Sequence, residues 1–167
     1  MSQSLSPQIN WPDAYRPSET AVHVRNELLI AAPAERIWAW LIRAPLWPTW
    51  YENSQDVAIE GGAFDLSPGA RFSWKTFGLS IDSVVGEFVP NQRIGWTGIG
   101  TGMDVYHGWV IAPRDGGCLV LTEENQNGLG ARAQSVLAPN RMHKHHQIWL
   151  ESLQAKASQG MPPASLA

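Results

Sequence analysis

Two histidines offer acid–base chemistry in this sequence. His107 stands in the run Met103-Asp104-Val105-Tyr106-His107-Gly108-Trp109-Val110-Ile111. Alternation puts Met103, Val105, His107, Trp109 and Ile111 on one face of a strand, apolar apart from a single imidazole, and turns Tyr106 to the other. His146 belongs to a different period. Met142, His146, Trp149, Leu153 and Ala157 follow one another at offsets of 4, 3, 4 and 4, with Leu150 beside them, which draws one continuous stripe along a helix. If both imidazoles face one cavity, groups that titrate near neutral pH can move the protons of an aldol condensation or a dehydration without any cofactor. His107 and His146 are the candidate catalytic pair, and the competing reading is two satisfied core histidines.

The surroundings proposed for them are aromatic. Nine of the 167 residues are Trp, and only 16% are charged, against about 25% in an average globular chain. Parity over residues 70 to 76 turns Phe72 and Trp74 inward, and over 92 to 98 it does the same for Ile94 and Trp96. With Trp109, three strands give a Trp to one face. A wall of this kind suits a planar, hydrophobic small molecule, which aromatic rings bind and a few polar groups orient. The candidate ligand-binding set is Trp74, Trp96, Met103, Val105 and Trp109 from the strands, with Met142 and Trp149 from the helix. Asp82, Glu123 and Asn125 are possible polar companions, but alternation in 79 to 89 and 117 to 126 is mixed and leaves their faces unassigned.

Other chemistries are poorly served. In His143-Lys144-His145-His146 only the first and last share a helical face. No acidic or Cys partner is adjacent and neither HExxH nor CxxC occurs, so no metal site is expected. Gly95 to Gly102 reads as a hairpin, with no following helix to receive a phosphate. The single cysteine, Cys118, excludes an intrachain disulfide and suits a small buried hydrophobe. No cofactor is implied. A net charge of -3, with Lys and Arg scattered, offers nucleic acid no footprint. The first seven residues lack the basic and apolar regions of a signal peptide, and the apolar run from Leu28 to Ala34 is broken by Pro33. The expectation is a cytoplasmic protein with no membrane span.

The elements that must position these residues are set by the pattern. Residues 1 to 20 carry Pro7, Pro12 and Pro17 among small polar residues and predict an extended arm, with Trp11 and Tyr15 available to dock it. Val22 to Ile30 alternates as a half-buried strand. Pro33 and Glu35 open a helix running to about Ile42. Beyond it, Pro45 and Pro48 confine the chain to a short helix or turn carrying Leu46, Trp47, Trp50 and Tyr51. Six strand-length segments come next, at 55 to 60, 70 to 77, 79 to 89, 92 to 99, 103 to 112 and 117 to 126. Their turns are short and rich in Gly, Pro, Asn and Asp, which implies antiparallel neighbours. A helical piece from about 130 to 137, a main helix from about 139 to 158 and a flexible tail from 159 complete the chain. The domain proper spans 21 to 158.

This order resembles the helix-grip fold of the START-like superfamily, nearest to its bacterial polyketide cyclase/dehydrase branch. The resemblance rests on Ile30-Ala31-Ala32-Pro33-Ala34-Glu35-Arg36-Ile37-Trp38, Trp47-Pro48-Thr49-Trp50-Tyr51, Glu87-Phe88-Val89-Pro90 before Arg93-Ile94-Gly95-Trp96, Tyr106-His107-Gly108-Trp109, and Gly116-Gly117 leading to Thr122-Glu123-Glu124. It implies an α+β fold in which a curved seven-stranded antiparallel sheet wraps a long C-terminal helix. The superfamily includes hydrophobic-ligand carriers, aromatic polyketide cyclases, ring-hydroxylating oxygenase domains and chaperone activators, and fold alone does not choose among them, so three functions stay open. They are binding of an aromatic small molecule, a cyclase or dehydratase using His107, and an interaction protein with a filled grip and an exposed apolar patch.

Overall fold

A computed structural model describes residues 7–164. The first residues of the arm and the end of the tail lie outside the described residues. Seven strands form one antiparallel sheet: β1 (Val22–Ile30), β2 (Gln55–Ile59), β3 (Arg71–Thr76), β4 (Leu79–Val89), β5 (Arg93–Gly100), β6 (Met103–Arg114) and β7 (Gly117–Asn127). The spatial order is β1-β7-β6-β5-β4-β3-β2, so β1 closes beside the last strand and every other neighbour is consecutive in the chain. Among the described residues three α-helices accompany the sheet: α1 (Ala34–Ile42), α2 (Leu129–Leu137) and α3 (Arg141–Gln159). Pro45 and Pro48 hold Ala44–Thr49 to a 3-10 turn, because neither can supply the N–H of a continuing α-helix.

The sheet grips α3 on its concave face. Trp149 and Leu150 of α3 are buried with Trp47, Trp74, Trp96 and Trp109. Trp47 sits edge-on to Trp149 at 5.2 Å between centroids, and Tyr51 stacks on the same indole at 4.4 Å. The 3-10 turn therefore plugs one end of the grip, and its aromatic density is core as much as cavity wall.

The convex face is covered too. Ile9 of the arm is buried with Tyr106, Val110 and Leu121, and Trp11 and Tyr15 pack against them. Gly108 makes that fit possible, since a Cβ there would lie 2.8 Å from the Ile9 side chain. The Tyr15 hydroxyl donates to Asp104 at 2.5 Å, and Asn125 donates to the Tyr15 carbonyl at 2.6 Å. The far end of the chain is also tied, with Trp40 donating to the Gly160 carbonyl at 2.8 Å and Arg43 to that of Pro163 at 2.6 Å. No helix among the described residues is long and apolar enough to cross a membrane.

Candidate functional site

Three elements bring one polar cluster into the apolar interior. His107 on β6 and Glu124 on β7 are direct cross-strand partners. Both side chains point to the concave face, where β6 contributes Val105, His107 and Trp109 and β7 contributes Val120, Thr122, Glu124 and Gln126. His146 comes down from α3. His107 Nδ1 lies 3.1 Å and His146 Nε2 3.2 Å from the same carboxylate oxygen, Oε2 of Glu124. The two imidazoles face each other at 4.8 Å between centroids. All three residues are buried.

A second layer fixes these groups. His107 Nε2 is 2.7 Å from the Thr122 hydroxyl, and the Gln126 amide donates to the other oxygen of Glu124 at 2.5 Å. With the ring proton of His107 on Nδ1, toward the carboxylate, the Thr122 hydroxyl donates to Nε2. Burial would by itself raise the Glu124 pKa, yet the two imidazoles outweigh it and hold the carboxyl well below the usual range. Burial pushes His107 down, against the pull of Glu124. The cluster is a buried carboxylate kept ionised between two imidazoles.

A cavity adjoins it, lined by His107, Glu124, Gln126 and His146 on the polar side and by Trp74, Trp96, Met103, Val105 and Trp149 on the apolar side. Its volume is about 30 Å³, room for a water or two and far below the roughly 300–1,000 Å³ of a drug-sized site. Phe77 and Leu79, at the β3–β4 turn, form a further part of the wall. Phe77 has φ of 51°, a conformation that bulky side chains avoid. It is held by the Arg141 guanidinium 4.9 Å over its ring, by the His145 ring at 5.2 Å, and by its own N–H donating to Asn53 at 2.8 Å. Three buried polar atoms of the wall have no hydrogen-bond partner: Gln126 Oε1, His146 Nδ1 and Trp149 Nε1.

Most of the residues singled out by pattern converge on this cavity. His107 and His146 meet there, and Trp74, Trp96, Met103, Val105 and Trp149 line it. Trp109 lies beside His107, stacked at 5.4 Å, outside the lining. Met142 touches the Gln126 amide through its sulfur at 3.7 Å and lines a separate recess with α2. Of the unassigned polar residues, Glu123 pairs on the convex face with Arg25 and with His23 at 2.7 Å, Asn125 faces the arm, and Asp82 is exposed. Pattern reading misses Glu124, Thr122 and Gln126, because both faces of β7 are covered and parity alone does not say which of them turns inward.

Among the described residues, His107, Glu124 and His146 form a group able to hold a cation, with one ligand atom each and all three within 4.8 Å of one another. The His143–His146 stretch contributes only its last residue. His143 is exposed, and His145 packs on Phe77.

Comparisons agree with this architecture. A hypothetical protein from Helicobacter pylori, jhp0584, is 29% identical over 93% of this chain and 99% of its own, with a TM-score of 0.86. TTHA0849 from Thermus thermophilus is 16% identical over 83% of this chain and 98% of its own, at a TM-score of 0.68. The di-domain aromatase/cyclase StfQ from the steffimycin biosynthetic pathway shares 16% identity over 83% of this chain and 51% of its own, also at 0.68. The last two likenesses show the fold alone. No curated protein matches the chain. The family model described as polyketide cyclase/dehydrase and lipid transport matches residues 21–158, and with the helix-grip architecture seen here it shows that the chain belongs to that family, within the START-like superfamily.

Proposed function

We propose that the protein binds a small molecule with an apolar body and a polar head, the body against Trp74, Trp96 and Trp149 and the head at the His107–Glu124–His146 end. The observation that carries this reading is the set of unpartnered buried atoms, Gln126 Oε1, His146 Nδ1 and Trp149 Nε1, at the wall of one cavity. Each such atom costs about 1–3 kcal/mol while it lacks a partner. A ligand offering both a donor and an acceptor recovers that cost, whereas a mere core filler leaves it standing. At about 30 Å³ the cavity is a closed form, and an aromatic body enters only if its wall yields. The turn bearing the constrained Phe77 is the part best placed to move. The expected result is quenching of Trp fluorescence and a rise in Tm with small phenols and aromatic or fatty amides, which offer both a donor and an acceptor and bring no second negative charge to Glu124. No response across such a panel contradicts the reading.

A second reading, a cofactor-independent cyclase or dehydratase, is favoured by the shared carboxylate. A carrier of apolar molecules has no need of a buried charge, while Glu124 between two imidazoles can pass a proton from one ring to the other side of the site. Under this reading His107→Phe abolishes turnover and leaves ligand affinity within a few-fold. The interaction-protein reading draws on the nearly filled grip and on the exposed Leu129, Val136 and Leu137 of α2, but it gives no role to the buried polar cluster.

A further inference from the structure

We propose that His107 Nδ1, Glu124 Oε2 and His146 Nε2 bind one divalent transition-metal ion of the Zn²⁺ class, with a remaining coordination position open to the cavity. The inference goes beyond ligand binding and does not depend on it, because a metal is measured on the protein alone. It does compete with the second reading, since an ion here takes the nitrogens that reading gives to protons.

Several observations converge. The ligand atoms come from β6, β7 and α3, and the carboxylate oxygen stands 3.1 and 3.2 Å from the two nitrogens. Around a tetrahedral ion with bonds of about 2.0–2.1 Å, neighbouring ligand atoms are about 3.3 Å apart. These separations are longer than the other contacts of the same side chains, 2.7 Å from His107 to Thr122 and 2.5 Å from Gln126 to Glu124. They are also longer than the roughly 2.7–2.9 Å of a charge-assisted N–H···O bond. Both separations also fall within the roughly 2.7–3.2 Å of an ordinary N–H···O bond, so the spacing accommodates an ion without requiring one, and the two imidazoles, whose ligand atoms lie within 4.8 Å, close toward each other when it binds.

Two of the three ligands have outer contacts of the kind a metal site uses, while the second nitrogen of His146 has none. His107 uses its second nitrogen on Thr122 and Glu124 its second oxygen on Gln126, which orients one ring and the carboxylate for a common centre. The cluster faces a cavity of about 30 Å³, enough for a water as an exchangeable ligand. Two imidazoles and a carboxylate, with no thiolate, suit Zn²⁺, Co²⁺ or Fe²⁺ rather than a soft ion such as Cu⁺. A cation also offsets the one carboxylate charge buried on this face.

The test uses the full chain, stripped with a chelator and titrated with Zn²⁺ and, separately, Co²⁺. One equivalent should bind, Zn²⁺ should raise Tm, and Co²⁺ should develop visible bands of a low-coordinate N/O site. Glu124→Gln and His146→Gln should each weaken binding more than about 100-fold, while His143→Gln should bind as the parent does. Absence of stoichiometric uptake by the parent protein overturns the inference, as does parent-like uptake by both variants. Should the variants fail to fold, anomalous scattering from parent crystals soaked in Zn²⁺ decides. An ion between His107, Glu124 and His146 supports the site, and an ion only elsewhere refutes it. A panel of phenols and aromatic amides run on stripped and loaded protein keeps failure of the metal distinct from failure of the ligand reading.

Discussion

Glu124→Gln removes one charge from the centre of the site and keeps its shape. The amide oxygen can still accept from Gln126, so the perturbation falls on the contacts with His107 and His146. Breaking a buried charged partnership costs about 3–5 kcal/mol. Because the amide preserves part of the hydrogen bonding, the low end, about 3 kcal/mol, applies here. In a chain of 167 residues that is a fall in Tm of about 6–12 °C. Acidification gives the effect a signature. The folded-state pKa of Glu124 lies below its ordinary value, so the carboxylate contributes stability above the unfolded pKa and loses it as pH falls through the folded one. The gap between parent and variant should therefore be full at pH 7 and shrink steadily below about pH 4.5. Urea denaturation of metal-free protein at pH 7, 5, 4 and 3, with m-values compared, measures it. Equal stability at pH 7, or a gap that does not change with pH, refutes the account of the cluster.

The packing sets three further outcomes. Trp149→Ala, which removes the indole at the centre of the aromatic cluster, should cost about 3–5 kcal/mol and admit indole into the vacated space, read as a ligand-dependent rise in Tm that the parent lacks. Ile9→Ala should cost about 2 kcal/mol and speed proteolysis of the arm without altering ligand affinity, because Ile9 packs only on the convex face. Tyr15 and Tyr106 have pKa values pushed up to about 12, in both cases chiefly by burial, with the neighbouring Asp104 adding to the effect at Tyr15. The unfolded chain therefore loses these protons first, and stability should fall between about pH 10 and 12, followed by urea denaturation.

Most of the fold is legible in the sequence because its signals are local. Pro33 marks the start of α1, the Gly- and Asn-bearing turns fix the hairpins, and the 142-146-149-153-157 stripe draws the buried face of α3. The inward direction of His107 comes from parity alone. The polar half of the site escapes, and β7 explains why. Its convex side carries Leu119 and Leu121, and Leu121 is fully buried beneath the docked arm. A strand covered on both faces shows no apolar-polar alternation, so Glu123 and Glu124 look equivalent. Only the pairing of His107 with Glu124 separates them, and register is a long-range property. The metal site is hidden in the same way, since the acidic partner of His146 is remote in sequence and reaches it through the sheet. The small size of the cavity is hidden for a different reason. Nothing local in Trp47-Pro48-Thr49-Trp50-Tyr51 says how deep the turn sits, and Trp47 and Tyr51 are both buried against Trp149, where they take up the space that a ligand would need.

The central claim is that a small molecule places its polar head at the His107–Glu124–His146 end of the grip. Imidazole NMR during titration with a panel of phenols and aromatic or fatty amides tests it most directly, because His107 and His146 face the cavity while His23 lies on the convex side. Saturable shifts at His107 and His146, with His23 unmoved and Trp fluorescence quenched in parallel, are the predicted result. Shifts confined to His23 and His143, or none at any ligand in the panel, would contradict it.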